Sequence, residues 1–167
     1  MLHTSLFSIL VLQCLICKMI FLLIGLAIGS FLNVVIIRTP KNKSIVLPRS
    51  HCPKCKNTIP FYYNIPVASY IWLRGKCFSC KQKISFQYIV IEIVTSLIFF
   101  TTFSSFEFNE AVLLSLVFCV LIVLSVIDLR YYLIPLYAII VLYVLAVIRL
   151  YIIKDIIISD IILGSIL

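Results

Sequence analysis

The sequence predicts an all-α protein, a polytopic transmembrane helical bundle carrying one cytoplasmic cysteine-rich loop. Three observations lead there. Of the 167 residues 63% are apolar and only 12% charged, with a mean hydropathy of +1.22, a composition that suits the bilayer rather than a globular core. Apolar runs of about the length needed to cross the membrane recur along the chain. Ten of the 14 Lys/Arg lie within residues 38–85, a stretch with no Asp or Glu. The net charge of +8 is therefore largely the property of one loop. Basic residues beside a span face the cytoplasm, where anionic headgroups attract them. This placement favours membrane lipids as a partner over nucleic acid.

Residues 2–17 and 19–37 are two apolar runs separated by Lys18. The second has the length of a span. The first has the character of a signal-type apolar region, but no small-residue cleavage site follows it, and Met19 offers an alternative start of translation. Further spans are predicted at 86–103, 111–128 and 134–153, each near the roughly 20 residues that cross about 30 Å of hydrocarbon. A last run, 156–167, is too short. The 104–110 connection contains Glu107 and Glu110 and no Lys or Arg, which suits the outer side. The 129–133 connection, with Arg130, Tyr131 and Tyr132, returns to the cytoplasmic interface. Three parts result: an apolar segment and first span at 1–37, the basic loop at 38–85, and a membrane domain at 86–167. No internal repeat or low-complexity tract is expected. Within the loop, the Tyr-, Ile- and Pro-rich stretch 59–72 is expected to lie along the headgroups.

Two Cys-x-x-Cys pairs, Cys52/Cys55 and Cys77/Cys80, are separated by 21 residues, just beyond the roughly 15 to 20 of a four-cysteine zinc knuckle. Four thiolates in two turns suit tetrahedral zinc, and a reducing cytoplasm keeps them available. A dithiol redox pair and plain buried thiols are the alternatives. Cys14, Cys17 and Cys119 lie in apolar runs and are expected to pack. Gly25, Gly29 and Asn33 recur every fourth residue on the first span, a smooth face ending in an amide that permits close helix approach. Glu92 falls roughly 10 Å into the next span at about 1.5 Å per residue, on a face with Tyr88, Thr95 and Ser96. An intramembrane carboxyl is a functional candidate, with a protonated side chain bonded to a neighbouring helix as the structural alternative. Asp128 ends the third span and Ile134–Pro135 opens the fourth, which sets this carboxyl at the cytoplasmic edge of the membrane.

Five segments taken in order resemble one family: GSFLNVVIIR (29–38), RSHCPKCK (49–56), NIPVASYIWLRGKC (64–77), ISFQYIVIE (84–92) and DLRYYLIP (128–135). They resemble the type IV prepilin leader peptidases, membrane aspartic peptidases of pilus assembly and type II secretion. The resemblance covers most of residues 19–135. It implies cleavage of the short basic leader of pilin-like precursors at the cytoplasmic face of the inner membrane. It also implies N-methylation of the new amino terminus from S-adenosylmethionine. On this match Asp128 corresponds to the first catalytic aspartate, the four cysteines to a cluster found in many members, and Glu92 to a motif glutamate of the amino-terminal half.

An aspartic peptidase needs two carboxyls sharing one proton. In the family the second comes from a later Gly-x-Gly-Asp segment, and the 167 residues contain none. The expectation is a carboxy-terminally truncated or degenerate member with little endopeptidase activity of its own. Asp160 lacks the flanking glycines, and alternation of spans puts it toward the outer side. Ile89 and Leu136 also depart from the family pattern without removing a catalytic group. The competing expectation is a non-catalytic zinc-binding membrane module whose loop binds a partner protein or anionic lipid.

Overall fold

The computed structural model describes the backbone of residues 2–152 and the side chains of residues 15–151. Long apolar stretches free of proline wind into α1 (Leu2–Arg38), α3 (Gln87–Ser105), α4 (Phe108–Tyr131) and α5 (Leu136–Ile152), and the loop between α1 and α3 holds one short α-helix, α2 (Ala68–Trp72), and two single 3-10 turns, Thr39–Lys41 and Phe61–Tyr63. The protein is a helical membrane bundle. α1 lies along α3, α3 against α4, and α4 against α5. The cluster Leu32, Ile36, Ile91, Phe99, Cys119, Val123 and Ile127 fills the space between the first three long helices.

Among the described residues three helical stretches are long and apolar enough to cross a membrane: Leu15–Lys41, Gln87–Ser105 and Phe108–Tyr131. The expected fourth, α5, is apolar but has 17 described residues. The two runs read on either side of Lys18 form one continuous helix of 37 residues. One lysine does not break a helix of Leu and Ile, because lysine is itself a good helix former and its charge leaves the backbone bonds intact. Cys119 is buried as expected, whereas Cys17 is exposed; the side chain of Cys14, like the whole of the run 156–167 with Asp160, lies outside the described residues.

The α1–α3 seam is closed by backbone. A Cβ on Gly25 would lie 2.6 Å from the Ser96 Cα, and one on Gly29 would lie 2.7 Å from the Glu92 Cα, so neither position has room for a side chain. Small residues let helices gain dispersion contacts in lipid, where burial of apolar surface supplies no drive. Ser96 adds a hydroxyl bond to the Leu22 carbonyl at 2.9 Å. Across α3 and α4 the buried Thr102 and Ser115 hydroxyls meet at 2.8 Å. Only Phe106 and Glu107 separate these two helices, so they form a tight antiparallel pair. The end of α1, the start of α3 and the end of α4 consequently share one end of the bundle.

Candidate functional site

The loop between α1 and α3 places its four cysteines by using one backbone motif twice. In the first half the Cys52 N–H donates to the Asn57 carbonyl, the Lys56 N–H to the Cys52 carbonyl, and the Ile59 N–H to the Ser50 carbonyl. In the second half the Cys77 N–H donates to Gln82, the Lys81 N–H to Cys77, and the Ile84 N–H to Gly75. Isolated bridges close each half, His51 with Thr58 and Lys76 with Lys83. Lys56 and Lys81 both take positive φ, 58° and 57°. Every partner is shifted by 25 positions, so SHCPKCKNTI (50–59) and GKCFSCKQKI (75–84) are two copies of one knuckle. This corrects the expectation that the chain holds no internal repeat. Apart from the cysteines, only a lysine and a final isoleucine are identical between the copies, which left little signal in the residues themselves.

The two knuckles face each other. All four sulfurs of Cys52, Cys55, Cys77 and Cys80 lie within 4.8 Å of one another, with Cys52 Sγ and Cys80 Sγ 3.8 Å apart. Four sulfurs at about 2.3 Å from a tetrahedral zinc stand about 3.8 Å from each other. The cluster is therefore close enough to hold a metal and is compatible with zinc. The Cys55 N–H, opposed by burial and helped by the Lys54 N–H and neighbouring thiols, brings Cys52 down to about 6. Cys55 receives the Asn57 N–H, yet burial and the surrounding thiols push it up to about 11. One sulfur is thus a ready thiolate, and another must give up a proton to a metal.

Beneath the loop, the α1–α3 seam ends in polar groups. Asn33 is fully buried; its Nδ2 donates to the Gly29 carbonyl at 3.2 Å and across the seam to the Tyr88 carbonyl at 3.1 Å. Among the described residues its Oδ1 has no partner, and neither do the amide atoms of Gln87. Glu92 lies five residues into α3, about 7.5 Å from its start at 1.5 Å per residue, and only 6% of it is exposed. The expected face is present: Glu92, Thr95 and Ser96 are buried, and Tyr88 is half-buried beside them. The carboxyl does not bond α4. Its Oε2 accepts the backbone N–H of Val67, in the loop, at 2.7 Å, and the Ser30 hydroxyl lies beside it. Nothing in the residues announced Val67, because the donor is a main-chain group brought in by the loop.

Asp128 lies in the last turn of α4 and is exposed. Its carbonyl caps the helix by accepting the Tyr132 N–H at 2.9 Å, Tyr132 taking the left-handed conformation with φ 52°. Among the described residues no hydrogen bond joins Asp128 to Glu92. The cysteine loop leaves α1 after Arg38 and enters α3 at Gln87, so it lies at the bundle end that also carries Asp128.

Comparison with known families matches residues 23–106, half of the chain, to the Bacterial Peptidase A24 N-terminal domain. Among similar proteins, the prepilin leader peptidase/N-methyltransferase of Myxococcus xanthus is 43% identical over 114 residues, covering 68% of this chain and 34% of the relative. The chain belongs to the type IV prepilin leader peptidase family. The Vibrio cholerae prepilin leader peptidase/N-methyltransferase is 40% identical over 126 residues, with 70% of this chain and 49% of that protein covered. The Bacillus subtilis prepilin leader peptidase/N-methyltransferase is 37% identical over 117 residues, with coverages of 70% and 47%. The chain spans about half or less of the length of these prepilin peptidases. No solved structure matches it.

Proposed function

We propose that the chain acts in processing type IV pilin-like precursors, with Asp128 supplying one of the two carboxyls that hydrolyse the leader peptide bond. The observation that carries this reading is an exposed aspartate at the end of α4, at the bundle end covered by the cysteine loop and within reach of a leader lying at the membrane surface. In the hydrolysis an ionised carboxylate takes a proton from water, the hydroxyl adds to the scissile carbonyl, and the partner acid polarises that carbonyl. The C–N bond then breaks and the leaving amine takes the proton. N-methylation of the exposed amine would transfer a methyl group from S-adenosylmethionine. The reading also has the family order of motifs and the names of the relatives behind it.

Zinc held by Cys52, Cys55, Cys77 and Cys80 would be structural, since four protein ligands leave no open position for water. In this reading residues 1–37 anchor the chain in the bacterial inner membrane, 38–85 form a cytoplasmic metal-bound cover, and 86–167 carry the catalytic aspartate. The experiment is cleavage of a pilin precursor in membranes. The 167-residue chain alone is expected to be inactive; supplied with the carboxy-terminal half of a relative, which carries the second aspartate, it is expected to cleave. Asp128→Asn in the reconstituted pair is expected to lower turnover by at least about 10³-fold. Undiminished cleavage by Asp128→Asn contradicts the proposal.

A second reading is favoured by the loop surface. Phe61, Ile71 and Trp72 are 77%, 64% and 82% exposed amid exposed Lys54, Lys56, Arg74, Lys76, Lys81 and Lys83. Bulky apolar tips among cations suit an anionic membrane surface, and a non-catalytic module bound there would use the same loop.

A further inference from the structure

The Glu92 carboxyl and the strained turn it holds connect the membrane bundle to the second knuckle. Val67 has φ 57° and ψ −50°, and the Ala68 N–H turns back to the Pro66 carbonyl. This is a γ-turn in its strained form, at a β-branched residue for which positive φ is disfavoured. Such a conformation persists only where surrounding contacts enforce it. The contact here is the bond from the Val67 N–H to Glu92. Gly29 makes it geometrically accessible, because α1 backs against α3 at Glu92 with no side chain between them.

From Val67 the connection runs on without a break. The Val67 carbonyl accepts the Ile71 N–H at 3.0 Å as α2 begins, and the Tyr70 carbonyl accepts the Gly75 N–H at 2.8 Å. Gly75 is buried against the Tyr70 ring, with φ +66° and its missing Cβ only 2.9 Å from the phenol oxygen. Its carbonyl in turn accepts the Ile84 N–H at 2.7 Å, the bond that closes the knuckle of Cys77 and Cys80. Ser69 also bonds the Tyr62 carbonyl at 3.3 Å, and Tyr63 stacks on Phe78 between the two cysteines, centroids 4.6 Å apart.

We propose that Glu92 is a positioning residue that latches the Pro66–Ala68 turn to the membrane bundle and thereby holds the second cysteine knuckle over the end that carries Asp128. A carboxylate or a carboxamide oxygen can accept the Val67 N–H, so the role needs an acceptor rather than a titrating acid. The zinc arm of the test rests on the metal reading; the proteolysis arm does not.

The full chain in lipid nanodiscs is compared with Glu92→Gln and Glu92→Leu by two readouts: the rate of tryptic cleavage after Arg74 and Lys76, and the rate of zinc release to a chelator. Glu92→Leu is expected to raise both about tenfold, the scale of one buried N–H left without its acceptor, while Glu92→Gln stays within about twofold of the parent. Parent-like protection in Glu92→Leu overturns the latch. Damage in Glu92→Gln equal to that in Glu92→Leu overturns it as well, since the ionisable group would then be what matters. A parent chain that holds no zinc refutes the metal reading alone, and the tryptic arm still decides the latch. Amide exchange at Val67 in the parent is independent of whether Glu92→Leu folds: protection well above that of the exposed loop residues supports the bond, and exchange at their rate overturns it.

Discussion

Along the α1–α3 seam the chain is ordered by contact: glycines admit the facing backbone, and hydroxyl and amide groups find partners between turns. In the loop that joins these same helices only Cys52 and Gly75 of residues 38–86 are buried. A stretch of that length with no apolar core cannot offset its conformational entropy by burial. Its order rests on repeated turns, the Arg38 guanidinium that bonds the Ser44 and Pro48 carbonyls, the bond to Glu92, and the meeting of four sulfurs. Neighbouring segments of one chain are thus stabilised by unlike means, and perturbations can be aimed at one while the other is read as a control.

The largest expected effect is loss of the metal. Structural zinc contributes on the order of 10 kcal/mol in small knuckle peptides. Cys52→Ser/Cys80→Ser is expected to abolish about one equivalent of bound zinc and expose the loop to protease while helical circular dichroism persists. Unchanged metal content in that variant would show that the cluster is not the site. Acid should act in the same direction. Cys52, at about 6, is ionised at neutral pH, but Cys55, at about 11, must lose a proton on binding, so zinc affinity falls as pH falls. Chelator competition at several pH values measures this, and affinity that rises toward low pH contradicts the four-thiolate centre.

A smaller effect belongs to the seam. Gly29→Ala puts a methyl group against the Glu92 backbone and is expected to cost about 1–3 kcal/mol by overpacking, read as a lower thermal midpoint in detergent with zinc content retained. A midpoint equal to the parent's contradicts the close contact. The smallest is the Thr102–Ser115 pair, where a double-mutant cycle with alanine is expected to give a coupling of about 0.6 kcal/mol. Zero coupling would assign that seam to packing alone.

Hydropathy made the long helices and their order legible, and the small-residue spacing at Gly25, Gly29 and Asn33 marked the seam, because both signals are carried by side-chain type. The cysteine cluster was legible for the same reason. Lys18 misled as a boundary, since a single charge lowers hydropathy without breaking a helix. The duplicated knuckle was hidden because its identity lies in backbone bonds and in positive φ at Lys56 and Lys81, conformations that lysine does not advertise. Glu92 was recognisable as an intramembrane acid, but its partner was not: a main-chain N–H at Val67 leaves no trace in residue type. Asp128 was placed at a helix end by Pro135 and by the charge of the following connection.

The central claim, that the cysteine loop and Asp128 face the cytoplasm where a leader peptide would be met, is tested most directly by topology. Single cysteines at Ser50 and Ser105, in a background without other reactive thiols, are treated in intact cells with a membrane-impermeant thiol reagent. The ten basic residues of 38–85 and the acidic connection at Glu107 and Glu110 predict labelling at 105 and protection at 50. Labelling at 50 with protection at 105 would reverse the bundle and remove Asp128 from the face on which leader cleavage takes place.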